Sequence, residues 1–152
     1  MLKLIYLLLL ATPLLYTEFS TAAEVINAGV GGNRSSQLLK RLERDVLSKQ
    51  PTVVVLMVGT NDRLNSGGFI GIEAYRKNVV SLIDQIQADG AKVVLMTPPT
   101  CIPELLFTRH DSTKYADQAP KARMQEVRTV LLELSRQKQI PVIDFYDYLI
   151  DH

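Results

Sequence analysis

The chain has 152 residues, 47% of them hydrophobic, enough to bury one core, so a single domain is expected. Lysine and arginine total 17 against 16 acidic residues, and no basic run is interleaved with aromatics, which argues against a nucleic-acid partner. The single cysteine, Cys101, excludes an internal disulfide, and beside two histidines it shows no zinc-ligand spacing, so neither a metal nor another cofactor is expected.

Residues 1–23, MLKLIYLLLLATPLLYTEFSTAA, admit two readings. One lysine near the start, an apolar block over residues 4–16 and a small-residue end at Ser20-Thr21-Ala22-Ala23 have the three regions of a secretory signal. That reading makes the protein secreted or periplasmic and limits membrane contact to a transient one, since the block falls short of the ~20 residues of a comfortable span. Alternatively KLIYLLLL is a buried strand, with Pro13 opening a short helix, and the protein is cytoplasmic.

Residues 24–152 alternate strand and helix. EVINAGV reads as a short strand running into glycines. SSQLLKRLERDVLSK sets Leu38, Leu39, Leu42 and Val46 on one helical face. PTVVVLMV, with six apolar residues from Val53 to Val58, reads as a strand buried on both faces, and it stops abruptly on Gly59-Thr60-Asn61-Asp62. GIEAYRKNVVSLIDQIQADG predicts a helix closing at Gly90. AKVVLMTPP is the next strand, halted by Pro98 and Pro99, and a loop of some twenty residues follows to Gln118. APKARMQEVRTVLLELSRQKQ is a helix, and IPVIDFYDYLI a last strand with the start of a helix.

Strands separated by amphipathic helices imply right-handed crossovers and a parallel sheet, with the strand-to-helix loops of one edge converging. Two of these loops carry unusual chemistry, NAGVGGNRS and GTNDRLN. The glycine loop fails the dinucleotide fingerprint at Arg34 and lacks the Gly-Lys-Ser or Gly-Lys-Thr of a Walker loop. Its glycines either serve only a tight turn, or Gly32 brings a backbone N–H to a substrate oxygen near a helix N-terminus. Asn61 offers an uncharged, directional side-chain donor suited to negative charge developing on an oxygen. Gly32 and Asn61 are therefore the two candidate arms of an oxyanion hole.

INAGVGGNRS resembles the second block, and VVVLMVGTND the third, of the SGNH hydrolases, also called GDSL esterases and lipases. VVLMTPP and IPVIDFYDYL fall where that family has its later strands, so the resemblance spans residues 24–150. It implies a three-layer α/β/α sandwich with a flavodoxin-like parallel sheet. It also implies metal-independent cleavage of small-molecule, carbohydrate or lipid acyl esters, with Gly32 and Asn61 as oxyanion donors and Asp62 as a turn residue supporting them. The alternatives are a non-catalytic binding or scaffold relative that retains the oxyanion loops, and a phosphate- or flavin-binding module, which a bound chromophore would reveal.

Two family blocks are not found. No Gly-Asp-Ser occurs in the chain, LATPLLY standing in its place, and Leu149 occupies the position three before His152 where the family has aspartate. His152 and His110 are read as either a catalytic base or a solvated surface histidine, and Ser20, Ser35 and Ser36 as terminal or helix-capping hydroxyls. No nucleophile or base is identified, and the chain by itself is expected to be inactive. The flavodoxin strand order 2-1-3-4-5 places the first strand inside the sheet. If KLIYLLLL fills that place, deleting residues 1–23 is expected to abolish cooperative thermal unfolding, and a truncated chain that melts sharply with unchanged far-UV circular dichroism identifies the segment as a signal.

Overall fold

Runs of β-branched residues become the strands, because such side chains pack well on a pleated, buried surface. The computed structural model describes residues 24–148. Within it β1 (Val53–Leu56), β2 (Lys92–Met96) and β3 (Val142–Ile143) form a parallel sheet in the order β1-β2-β3. The register sets Val54 beside Val93 and Leu56 beside Leu95. On the other side of β2, Leu95 lies beside Val142.

The crossovers are helical, as the 3.6-residue periodicity predicts. After α1 (Ser35–Asp45) comes a 3-10 turn at Leu47–Lys49; α3 (Ile72–Ala88) joins β1 to β2, and α5 (Pro120–Lys138) joins β2 to β3. Pro120 opens α5, where a missing N–H costs nothing, and Gly90 ends the α3 segment at φ +91°. Tyr75, Val79, Leu82, Ile83 and Ile86 of α3 and Val127, Val130, Leu131 and Leu134 of α5 pack on Leu56, Val58, Val93 and Leu95 in one core.

The parallel α/β architecture agrees with the sequence expectation, and the described residues supply the sheet and one helical layer. Along β1 and beyond, Val53, Val55 and Met57 alternate with the buried Leu56 and Val58, and all three are about half exposed on the opposite face. Three local expectations are corrected. Residues 24–30 form no strand: Val25 is 91% exposed, and no ladder partner is available among the described residues. Arg41 holds this segment by donating to the Ala28 carbonyl at 2.7 Å. GTNDRLN contains a short helix, α2 (Thr60–Leu64), rather than loop alone. The long segment after β2 contains α4 (Pro103–Leu106) and a 3-10 turn at Ser112–Tyr115. A final short helix, α6 (Phe145–Tyr148), follows β3. The two readings of residues 1–23 concern residues outside those described. Among the described residues no helix is long and apolar enough to cross a membrane.

The turn from β1 into α2 depends on Gly59, whose φ of +132° only glycine adopts without strain. A Cβ there would lie 2.5 Å from Val127 Cγ1 and 3.0 Å from the Tyr75 hydroxyl oxygen. Neither neighbour has room to move, since both are fully buried and Tyr75 donates to the Val58 carbonyl at 2.9 Å. Gly59→Ala is therefore expected to lower the unfolding free energy by about 2–4 kcal/mol, read as a fall in the urea midpoint.

Candidate active site

The loop after β1 and the glycine loop meet through two neighbouring residues of α2. Asn61 donates a side-chain N–H to the Asn33 carbonyl at 3.1 Å. An amide NH2 carries two protons, so one orients the group and the second stays available. Asp62 is wholly buried, and both its oxygens accept from the Ser35 N–H at 3.1 Å, while the Ser35 hydroxyl also donates to it. Asn78 of α3 donates to the Ser35 hydroxyl oxygen at 2.9 Å, which leaves the hydroxyl proton for Asp62. A carboxylate at the first N–H of α1 also complements the positive end of that helix.

Burial raises the Asp62 carboxyl above its ordinary value of 3.8, and the hydrogen bonds from Ser35 and the nearby Arg34 charge only partly oppose this. Tyr75, enclosed in the core, is pushed well above its ordinary value, first by burial and then by the Asp62 charge.

Gly32 stands in the turn between the Val30 carbonyl and Asn33, which are linked by a 3.2 Å hydrogen bond. Its φ is +80°, and nothing lies within 4 Å of the place a Cβ would take, so backbone conformation rather than space calls for glycine here. Among the described residues the Gly32 N–H has no acceptor. Arg41 holds the loop from below, donating to Asn33 Oδ1 at 2.8 Å and to Ala28 O.

Two arginines clamp the loops on the other side. Arg63, buried beside Asp62, donates to Glu126 at 2.6 Å, to Gln118 at 2.8 Å and to the Ile70 carbonyl at 3.1 Å. Arg123 is also buried; it pairs with Asp117 at 2.6 Å and stacks 4.1 Å over the Phe69 ring, which meets Tyr115 edge-on. The Tyr115 hydroxyl donates to the Leu64 carbonyl at 2.5 Å. The segment after β2 is thus fastened to the segment after α2.

The other sequence candidates separate. Ser35 is a buried structural hydroxyl committed to Asp62, and Ser36 lies on α1 as a half-buried side chain. Ser20 and His152 lie outside the described residues. His110 is not a solvated surface histidine: it is half-buried, with Nδ1 3.0 Å from the hydroxyl oxygen of Ser66. Sequence reasoning passed over Ser66 because 44 residues separate the pair and neither stands in a recognisable motif. Among the described residues no group of three or more histidine, cysteine or acidic side chains is arranged to hold a metal ion.

The GDSL-like lipase/acylhydrolase family model matches residues 11–152. The chain belongs to this family. Among solved structures, this GDSL-family chain resembles the lipase/acylhydrolase of Enterococcus faecalis, with 28% identity, a TM-score of 0.62, and 80% of this chain and 55% of the other covered. It also resembles the acetyl xylan esterase AlAXEase, with 29% identity, a TM-score of 0.65, and 78% and 57% covered. In sequence it is 24% identical to the uncharacterised lipoprotein YqeF of Bacillus subtilis over 141 residues, 84% of this chain and 57% of YqeF. Over 72 residues it is 32% identical to the esterase TesA of Pseudomonas aeruginosa, 47% of this chain and 34% of TesA. The chain thus spans little more than half the length of YqeF and of these two solved relatives.

Removing the Asp62 carboxylate leaves the buried Ser35 N–H and hydroxyl without an acceptor. Asp62→Ala is expected to lower stability by about 2–4 kcal/mol. Because the folded-state value is raised, the contribution of this carboxyl is full below 3.8 and is lost as the pH rises through the folded value. The penalty of the substitution, measured by urea unfolding, should therefore be larger in mildly acidic than in neutral solution.

Proposed function

We propose that this chain carries the oxyanion-binding core of a carboxylic ester hydrolase, with Gly32 and Asn61 as donors to the oxygen that becomes negative when an acyl carbonyl is attacked. The observation that carries this reading is the Asn61–Asn33 hydrogen bond, which fixes one amide proton while leaving the other, and the Gly32 N–H one residue away from Asn33, without an acceptor among the described residues. Donors fixed before the reaction cost little reorganisation as charge develops, which is why such groups lower the barrier. The substrate class is an acyl ester of a small molecule, carbohydrate or lipid; the acetyl xylan esterase and TesA relatives support it by their names. The lipoprotein name of YqeF supports the export reading of residues 1–23.

The test uses a form of the chain reconstituted with a Gly-Asp-Ser block and an Asp-x-x-His block. Asn61→Ala is expected to lower kcat by about 10²–10³ with little change in KM. A change confined to KM makes Asn61 a ground-state binding residue, and unchanged activity removes it from the site.

A further inference from the structure

A hydroxyl and an imidazole meet where the segment after α2 touches the segment after β2. Ser66 Oγ lies 3.0 Å from His110 Nδ1, and the Ser66 backbone N–H points at the same nitrogen from 3.4 Å. A backbone N–H only donates, so Nδ1 carries the lone pair, the ring proton sits on Nε2, and the Ser66 hydroxyl directs its proton at Nδ1. This is the polarity that a nucleophile and its general base require. Both side chains are half-buried, so neither is sealed from a reagent.

A cation stands beside them. A terminal nitrogen of Arg34 lies 3.9 Å from the place a Cβ on Gly67 would occupy, and the same nitrogen 3.6 Å from that on Gly68. Among the described residues Arg34 forms no ion pair, and its buried Nε has no hydrogen-bond partner. Local backbone donors are already engaged: Gly67 N–H goes to Asn65 Oδ1 at 3.0 Å and Gly68 N–H to the Asn65 carbonyl at 3.1 Å. The guanidinium is thus the donor left to meet a developing oxyanion at this turn. Arg34 follows Asn33, the residue that holds Asn61, so the cluster borders the oxyanion loops.

We propose that Ser66 is a nucleophile activated by His110, with Arg34 stabilising the oxyanion, and that the pair is acylated by activated carboxylic esters and phosphonylated by fluorophosphonates. In the ester reaction the Ser66 oxygen bonds to the acyl carbon as its proton passes to His110 Nδ1. The tetrahedral adduct then expels the alcohol, which leaves with that proton, and the acyl group remains on Ser66. With a fluorophosphonate the oxygen–phosphorus bond forms, fluoride leaves, and His110 retains the proton. The proposal departs from the expectation, drawn from the missing blocks, that no serine of this chain is activated. It is separate from the Gly32 and Asn61 reading, since it concerns a different nucleophile and is read by covalent mass rather than by turnover.

The 152-residue chain is treated with a fluorophosphonate probe and digested with trypsin. Ser66 is the only serine in the peptide of residues 64–76, and the adduct mass is expected there. Ser66→Ala, which keeps the backbone N–H on Nδ1, should lose it. His110→Asn offers an oxygen that can accept the same N–H but cannot take the proton, and should label about 10²-fold more slowly. An unlabelled native peptide, or equally fast labelling in His110→Asn, overturns the proposal and leaves the pair as a bridge between two loops.

Discussion

The site is organised around one buried carboxylate. Asp62 lies at zero exposure and gathers the Ser35 N–H, the Ser35 hydroxyl and, through that hydroxyl, Asn78 of α3. Such burial is costly for an ionised group, and the raised proton affinity of the carboxyl is the sign of that cost. The hydrogen bonds offset it only while the start of α1 and α2 remain in register. Asp62 therefore couples the position of the glycine loop to that of Asn61, its neighbour in sequence. A displacement of either loop would strand a buried charge or a buried donor, which gives the arrangement its stiffness.

Gly59 and Tyr75 set the height at which this coupling occurs. The strand must turn immediately after Val58, and the turn is pressed against Val127 and Tyr75 so closely that no side chain fits. The Tyr75 hydroxyl holds the Val58 carbonyl, so the last residue of the apolar run is tied to α3. Asn61 leaves from this fixed point two residues later. Its amide is positioned by backbone geometry and one hydrogen bond to Asn33, and its placement needs no charged partner.

The segment after β2 is longer than a connection requires, and its ordering comes from charge and aromatic contacts rather than from a ladder. Arg63 and Arg123, both buried, spend their donors on Glu126, Gln118, Asp117 and backbone carbonyls. Phe69 and Phe107 flank Tyr115 at ring-centroid separations of 5.2 and 5.5 Å. The arginine ends are buried but their acidic partners reach solvent, Asp117 at 75% exposure, so these pairs specify how two loops dock more than how strongly the domain folds. That docking carries His110 to Ser66.

Periodicity in the sequence determined the helices α1, α3 and α5, the strands β1 and β2 and their parallel order, because each rests on local patterning repeated over many residues, while the family rested on the resemblance of two short blocks, INAGVGGNRS and VVVLMVGTND. Asn61 drew notice as a candidate because it follows the end of β1, where a parallel sheet places its loops on the ligand side; Gly32 follows residues that form no strand, and its glycine-rich block alone singled it out. Residues 24–30 show where local pattern fails. EVINAGV has a strand's composition, yet a strand exists only when a neighbour takes its backbone groups, and among the described residues none does. Tertiary structure alone decided that Asp62 reaches Ser35, that Arg63 and Arg123 fasten the long segment, and that Ser66 faces His110. The Asp62–Ser35, Ser66–His110 and Arg63–Glu126 pairs are separated by 27, 44 and 63 residues, whereas Arg123 reaches only 5 and 6 residues back, to Gln118 and Asp117. No periodicity in sequence encodes such contacts, because they arise only after helices packed on a common sheet have brought the loops of one edge together.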